Sequence, residues 1–284
     1  MTREVWKLPT QVAIQLGRQI LTVAHDPGAT LPSEQEICAQ YDVSRTVARE
    51  AMQLLGSLDI VRISSGRRMT LRPPEDWNYL HPLMLEILDP VEVRRLLADL
   101  HEVRLMIEPV VAARAAQRIG MDQLHRLEAI LGRMRALESD PDRYLEYDLQ
   151  FHAEICNVLD NRVLHRILYS CRWLLMASRR VTNRLWASLA AVTEEHERIF
   201  RALAQQDPQA AEAAMRSHLE GNARAWSLPP DLMVEALEHP AGPRGKPALP
   251  AAEASPRPRE SRVRAPRDVG SVASAHVRKE RRTR

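Results

Sequence analysis

Residues 31–51 read LPSEQEICAQYDVSRTVAREA, and this stretch decides the fold of the first part of the chain. Ser33 is followed three residues later by Glu36, which is the pattern of a capping box and predicts the start of a short helix. Ser44 predicts the start of the next helix, because a serine there can cap the first turn. Only Tyr41-Asp42-Val43 separates the two helices, so the stretch predicts a helix-turn-helix.

The segments on either side complete this unit. Upstream, residues from Thr10 to about His25 have apolar side chains at helical spacings, and Asp26-Pro27-Gly28 ends that helix. Downstream, the β-prone pieces 60–63 and 69–72 flank a basic tip, which predicts a hairpin, or wing. Three helices and a wing therefore form the predicted N-terminal domain, residues 1–73.

The first turn of the third helix is polar and cationic, since Ser44, Arg45, Thr46 and Arg49 lie on or near one face. A recognition helix needs such a turn, because it approaches base edges and phosphates in the major groove. For two arginines alone, a solvated face on an ordinary helix is an equal alternative. Combined with the preceding short helix and the basic hairpin, the pattern predicts binding to double-stranded DNA.

The remainder of the chain is predicted to be mainly helical. Pro73-Pro74 opens a linker expected over residues 74–90, and an antiparallel helical bundle is expected over 91–228. Its predicted helices are 91–119, 121–138, 141–160, 161–180, 182–206 and 208–226. Residues 229–284 are rich in Pro, Ala and Arg, and we expect them to be a disordered tail.

Composition excludes several classes of protein. The formal net charge is +3, but residues from Ala241 onward carry 12 Lys/Arg against four Asp/Glu, which leaves residues 1–240 at −5. The basic charge therefore belongs to the tail and does not itself predict nucleic-acid binding by the folded part. No apolar run reaches about 18 residues and no signal-peptide pattern is present, so a cytoplasmic protein without membrane association is expected. The cysteines show no CxxC spacing and are interpreted as small core residues: Cys38, Cys156 and Cys171.

Four side chains in the helical part have the chemistry of a metal site. Asp148 and His152 are four residues apart and share one helical face, while His196 and His218 lie on later helices. One carboxylate and three imidazoles suit Zn, Ni or Mn, with positions left for water or a ligand. The alternative for each histidine alone is a surface or satisfied core residue.

Three motifs in the N-terminal part closely resemble the winged helix-turn-helix of the GntR family of bacterial repressors: LPSE at 31–34, VSRTVAREA at 43–51 and Gly66-Arg67. Two departures suggest an operator unlike the family's common one, because Gln35 replaces an arginine after LPSE and Arg68-Met69 replaces Gly-Thr in the wing. The resemblance implies that Arg45 and Arg49 are the main readers of bases and phosphates. The whole implied DNA-binding set is Ser33, Gln35, Ser44, Arg45, Thr46, Arg49, Gly66, Arg67 and Arg68.

Four further motifs resemble the FCD ligand-binding domain of the FadR subfamily, over residues 92–226. They are EVRLMIEP at 102–109, DLQFH at 148–152, EH at 195–196 and MRSHL at 215–219. The resemblance implies that a divalent metal, with zinc the first choice and nickel or manganese as alternatives, is bound by Asp148, His152, His196 and His218. It argues against a fatty acyl-CoA ligand, because members that bind one lack this set.

The same resemblance implies an effector site beside the metal. Arg104 would form a bidentate pair with an organic acid that also ligates the metal, and the alternative for Arg104 is an intrahelical ion pair with Glu108. Asn222, one turn after His218, would line this cavity or lie on the surface. WNYL at 77–80 resembles the linker of members that respond to sugar acids, so aldonates and related hydroxy acids are the predicted effectors.

The predicted function is thus a homodimeric transcriptional regulator, taken as a repressor, and not an enzyme. A metal-dependent hydrolase or lyase is one alternative, although it would have no use for the N-terminal domain. A DNA-binding protein with a purely structural metal is the other, and effector-dependent release of DNA would distinguish it. No role is assigned to the remaining histidines. Arg179, Arg180 and Arg184 could face the effector or form a dimer surface, and solvent exposure is the commonest explanation for such residues.

Overall fold

A computed structural model of the chain describes residues 6–23, 31–64, 69–185, 188–227 and 237. As predicted, the described part is mainly helical, with one small hairpin near the N-terminus. Within these residues, no helix is both long enough and apolar enough to cross a membrane.

The N-terminal elements are the predicted winged helix-turn-helix. Helices α1 (Leu8–Val23), α2 (Glu34–Tyr41) and α3 (Arg45–Ser57) precede strands β1 (Val61–Ile63) and β2 (Met69–Leu71). The strands are antiparallel and pair Val61 with Leu71. The tip of the wing, residues 65–68, lies outside the described residues, and so do Gly66, Arg67 and Arg68.

Both predicted helix starts have the expected caps. The Ser33 hydroxyl accepts from the Glu36 amide while the Glu36 carboxylate accepts from the Ser33 amide, which completes the capping box. The Ser44 hydroxyl accepts from the amide of Val47 at the start of α3. Asp42, between the two helices, has the left-handed conformation (φ 50°) that a tight helix-turn-helix requires. The local sequence therefore fixes where α2 and α3 begin and how closely they follow each other.

The segment predicted to be a linker is built into the N-terminal unit. It contains a 3-10 turn, Pro74–Asp76, and a short helix α4, Met84–Ile87, whose Met84 and Ile87 are buried. The Asn78 amide donates to the carbonyl of Leu58 at 2.9 Å. At Gly17 of α1 an added Cβ would lie only 3.0–3.2 Å from three side-chain carbons of Ile87. Helix α4 thus packs directly on the backbone of α1.

Six helices of the bundle lie within the described residues, and all but the fifth begin within one residue of the predicted position. Asp89, Asp140 and Asp207 each cap a helix that opens with proline, because their carboxylates accept from amides of the first turn. The helices are α5 (Pro90–Ala116), α6 (Met121–Ala136), α7 (Pro141–Asn157), α8 (Arg162–Leu185), α9 (Leu189–Ala204) and α10 (Pro208–Gly221). A 3-10 helix, Asn222–Ser227, follows α10.

The predicted break near residue 181 is wrong, because α8 continues to Leu185. The sequence Arg179-Arg180-Val181-Thr182 has no helix-stopping residue, and α9 begins only after Ser188. Thr182 and Asn183 therefore belong to α8, where both are buried.

Among the described residues, two clusters of buried apolar side chains stabilise the fold. The first joins α1–α4 and the hairpin to part of α5 and α8, including Leu97 and Leu174, and Leu237 is partly buried against it. The second lies inside the bundle and includes Tyr144 and Phe151. Of the predicted tail, 229–284, only residue 237 is described.

The three cysteines differ in how deeply they are buried. Cys156 is buried, and burial raises the pKa of its thiol, whereas Cys38 and Cys171 are only partly buried. Cys156 is therefore a core residue as predicted, and Cys38 and Cys171 pack against the edge of the first apolar cluster.

Candidate metal centre and DNA-binding surface

The four predicted metal ligands come together inside the bundle. Asp148 and His152 lie on α7, His196 on α9 and His218 on α10, and all four are buried. The Nε2 atom of His196 is 3.2 Å from the Nε2 atom of His152 and 3.2 Å from Oδ1 of Asp148. The three histidines offer nitrogens that all lie within 4.8 Å of one another.

Each of the three imidazoles is anchored through its other nitrogen. The Nδ1 atom of His152 lies 2.6 Å from Oε2 of Glu108, and that of His218 lies 2.9 Å from Oε2 of Glu195. The Nδ1 atom of His196 lies 2.8 Å from the carbonyl of Val192, which can only accept a hydrogen bond. We assign the hydrogen to Nδ1 in all three rings, which turns the Nε2 lone pairs toward one another.

These distances fit a divalent metal. Zinc bonds to imidazole nitrogen are about 2.0–2.1 Å, so two ligands lie about 2.9 Å apart at a right angle and about 3.4 Å apart at the tetrahedral angle. The observed separations of 3.2 Å, and of 3.6 Å between His152 Nε2 and Asp148 Oδ1, lie near this range. The His218 Nε2 atom is buried and has no hydrogen-bond partner among the described residues. A cation at the centre would satisfy all four groups.

Electrostatics hold the ligands in the protonation states that bind a metal. Burial lowers the pKa of His152 and of His218 well below the usual histidine range, so both are neutral near pH 7. Burial alone would raise the pKa of Asp148, but Arg179 and His196 outweigh it and hold that pKa well below its usual range. Neutral imidazoles and an ionised carboxylate are the forms that coordinate metal ions.

Arg179 is buried, so the expectation that it faces solvent is wrong. Its side chain is 3% exposed, and its NH1 atom donates to Asp148 Oδ1 at 2.7 Å. One turn later, the Asn183 amide lies 3.3 Å from the other oxygen of the same carboxylate. Because α8 continues past residue 180, positions 179 and 183 share the face that packs on the metal ligands. Arg180 and Arg184 are only partly exposed.

Arg104 makes the intrahelical ion pair and still has two nitrogens to offer. Its Nε atom donates to Glu108 Oε1 at 2.7 Å, with both side chains buried. The NH1 and NH2 atoms of Arg104 are buried and have no hydrogen-bond partner among the described residues. The ion pair with Glu108 and the predicted contact with an organic acid are therefore compatible. Asn222 is buried at the end of α10 and donates to the carbonyl of His218 at 3.2 Å.

The predicted DNA-reading side chains lie at the start of α3. Ser44, Arg45 and Thr46 are exposed there. Arg49 is also exposed, but its Nε atom is 2.7 Å from Glu34 Oε2, so α2 fixes its orientation. Gln35 is exposed at the first turn of α2. The hydroxyl of Ser33 is used in the capping box.

Comparison with known proteins agrees with this two-part architecture. A family model described as bacterial regulatory proteins, gntR family, matches residues 8–71, and a model of the FCD domain matches residues 99–221. The galactonate operon transcriptional repressor of Escherichia coli K12 is 30% identical over 219 residues, which is 75% of this chain and 94% of that protein. The chain belongs to the GntR family of transcriptional regulators.

Other GntR-family regulators show the same likeness. The HTH-type transcriptional regulator LutR of Bacillus subtilis is 32% identical over 199 residues, covering 68% of this chain and 89% of LutR. Among solved structures, the fold is similar to that of Lar, which controls expression of the Listeria monocytogenes agr system. The similarity covers 79% of this chain and 99% of the Lar chain. Its TM-score is 0.53 at 17% sequence identity, so this likeness shows the fold alone.

Sequence reasoning missed three residues of the site in this GntR-family regulator. The sequence indicates Glu108 only as an alternative partner of Arg104, but in the structure its carboxylate also contacts His152, 44 positions away. For Arg179 the sequence favours solvent exposure over a place beside the effector, and it indicates Glu195 only as the neighbour of His196. No local pattern pairs Glu108 with His152, because that contact depends on how α5 and α7 pack.

Proposed function

We propose that this GntR-family regulator is a homodimeric repressor whose affinity for operator DNA is controlled by a small organic acid bound at a divalent metal. The metal ligands would be Asp148, His152, His196 and His218, and zinc is the ion that this ligand set suits best. The observation that carries the proposal is the convergence of three buried Nε2 lone pairs, each ring being fixed by an acceptor at Nδ1. Such anchoring is the usual support of metal-bound histidines.

The charges of the site support an anionic effector. The buried guanidiniums of Arg104 and Arg179 are balanced by the buried carboxylates of Glu108 and Asp148. A divalent metal would add two positive charges, and Glu195 at the edge of the site offsets at most one of them. A carboxylate that binds the metal and the free nitrogens of Arg104 would neutralise the remainder, with Asn222 at the border of the same site.

We assign DNA reading to residues 1–73 and effector binding to residues 91–228. Arg45, Thr46 and Arg49 would approach the major groove at the start of α3, as in other helix-turn-helix proteins. Two-fold symmetry of the dimer would match a near-palindromic operator in the bacterial cytoplasm. The effector would act by binding better to one arrangement of the DNA-binding units than to the other.

The effector site can be tested by calorimetry. We expect galactonate or a related hydroxy acid to bind the zinc-loaded protein and not the protein treated with a chelator. Arg104→Met should lower the affinity roughly 10- to 150-fold, since a hydrogen bond to a charged group contributes about 1.5–3 kcal/mol. Arg95→Met, at an exposed position on the same helix, is the matched control and should bind like the wild type. Equal affinities of the two variants would remove Arg104 from the site.

Operator binding can be tested with a duplex enriched from a random DNA library. Arg45→Ala should weaken binding to that duplex by about 1–3 kcal/mol and relax the preference at one position, measured by fluorescence anisotropy at fixed salt. Arg133→Ala, an exposed arginine of α6, should leave the affinity unchanged. The assignment of Arg45 fails when both variants bind the selected duplex as the wild type does.

Measuring the affinity for the same duplex with and without a hydroxy acid distinguishes an effector sensor from a DNA-binding protein whose metal is purely structural. Saturating hydroxy acid should lower the affinity of the zinc-loaded protein for the duplex in the sensor. An acid that binds without changing DNA affinity would instead favour the purely structural alternative.

A further inference from the structure

A second group of buried polar atoms lies on α5 beyond Arg104. His101 is 4% exposed, and neither of its ring nitrogens has a hydrogen-bond partner among the described residues. The indole of Trp226, in the 3-10 helix after α10, lies with its ring centroid 5.8 Å from that of His101. The Trp226 Nε1 atom is likewise buried and without such a partner. Leaving a buried donor or acceptor unsatisfied costs about 1–3 kcal/mol, so a ligand that forms hydrogen bonds with these three atoms would be stabilised.

The positions of these groups continue the effector site along one helix. Residues 101, 104 and 108 have the spacing that places side chains on one helical face. With a rise of 1.5 Å per residue, His101 lies about 4.5 Å from Arg104 and about 10 Å from Glu108 along the axis. Glu108 supports the metal ligand His152, and Arg104 has the free guanidinium nitrogens. His101 and Trp226 therefore lie on the side of Arg104 away from the metal.

The electrostatics agree with this arrangement. Burial, helped by the charge of Arg104, lowers the pKa of His101 to about 4. The ring is therefore neutral near pH 7 and offers one donor and one acceptor. A hydroxyl group can both donate and accept, so it is the complement of a neutral imidazole beside an indole N–H.

We propose that His101 and Trp226 bind hydroxyl groups at the far end of the effector, which is therefore a long polyhydroxylated acid and not a two- or three-carbon one. The inference rests on the proposed function, because the carboxylate end must be held by the metal and Arg104. An extended chain covers roughly 1.2 Å per bond, so a six-carbon acid spans about 6 Å from its first to its last carbon. That length carries its terminal hydroxyls past Arg104 to His101, whereas glycolate ends before it.

The test compares three acids on the full-length, zinc-loaded protein by calorimetry. Galactonate carries hydroxyls along its whole chain, 2-hydroxyhexanoate has the same length without the distal hydroxyls, and glycolate has only the metal-binding end. We expect the wild type to bind galactonate at least about tenfold more tightly than 2-hydroxyhexanoate. His101→Phe should lower galactonate affinity at least about tenfold and leave glycolate affinity unchanged.

Two variants serve as controls. Trp226→Phe removes one donor at a partly exposed position, and it should reduce galactonate affinity selectively even when His101→Phe fails to fold. His125→Phe, at a position outside the site, should bind all three acids like the wild type.

Equal affinity of the wild type for galactonate and 2-hydroxyhexanoate would overturn the inference. An equal loss of glycolate and galactonate binding in His101→Phe and in Trp226→Phe would overturn it as well, since the residues would then act on the carboxylate end. In both cases glycolate still binds the wild type and the proposed metal-bound effector stands. If no acid binds the zinc-loaded wild type, the proposed function fails and this inference fails with it.

Discussion

Replacing His196 by alanine is expected to abolish high-affinity binding of zinc. His196 is fully buried, and its Nε2 atom is 3.2 Å from both His152 Nε2 and Asp148 Oδ1, so it lies at the centre of the ligand set. Loss of a supporting residue already lowers metal affinity about 10- to 100-fold, and loss of a ligand should lower it further. Calorimetric titration of the metal-free protein with zinc measures this directly.

The same variant should lose the stabilisation that zinc provides. At a zinc concentration about 1,000 times its Kd, binding adds about 4 kcal/mol to the free energy of unfolding. For a chain of this size that raises Tm by roughly 10 °C. His165→Ala, at an exposed position on α8, should keep both the zinc binding and the shift in Tm. A zinc-dependent shift that survives in His196→Ala would place the metal elsewhere.

Glu108→Gln is expected to produce the largest loss of stability, about 3–5 kcal/mol in the metal-free protein. Glu108 is buried, pairs with Arg104 and His152, and lies 4.0 Å from Arg179. A neutral amide would leave Asp148 as the carboxylate that balances the guanidiniums of Arg104 and Arg179. Breaking a buried ion pair costs about 3–5 kcal/mol, because one buried charge remains uncompensated. Denaturation by urea gives the free energy of unfolding, with Glu102→Gln on the exposed side of α5 as the control.

The pH dependence of this difference follows from the sign of the shift. Burial would raise the pKa of Glu108, but Arg104 and His152 outweigh it and hold that pKa well below its usual value. The stability contributed by the carboxylate is therefore fully present above the unfolded pKa, about 4.5, and is lost only as the pH falls toward the folded value. The gap between wild type and variant should persist at pH 6 and narrow under acid conditions. A variant as stable as Glu102→Gln at pH 6 would contradict the ion-pair argument.

Local patterns were enough to predict the winged helix-turn-helix and two of the four residues that meet at the candidate metal site, Asp148 and His152. Capping residues such as Ser33 and Asp89 determine helix starts through neighbours only two or three positions away, and these contacts are present. The spacing of Asp148 and His152 puts both on one face of α7 without reference to the remainder of the fold. Family resemblance then supplied His196 and His218 as their partners, because nothing local connects residues on three different helices.

The features that sequence reasoning missed depend on packing between distant segments. The burial of Arg179 follows from its pairing with Asp148 on another helix, and an isolated arginine in α8 gives no sign of that partner. Likewise, Pro73-Pro74 is typical of a flexible connection, but the segment after it contains α4, whose apolar residues find a place against α1. An apolar sequence predicts that its side chains will be buried, but it does not predict which element they pack against.

The contact between Gly17 and Ile87 bears on how regulators of this kind can be recombined. A chimera joined at Pro73-Pro74 would contain α1 without the α4 that packs on it. The α4 of the other protein would then have to pack against Gly17, where the space fits the Ile87 side chain. The Arg18 guanidinium donates a hydrogen bond to the carbonyl of Glu86 at 2.6 Å. The same exchange would remove or displace this acceptor. The segment to exchange between regulators therefore extends to about residue 88. Its apolar side chains must also pack against Leu97 on α5, which belongs to the same apolar cluster.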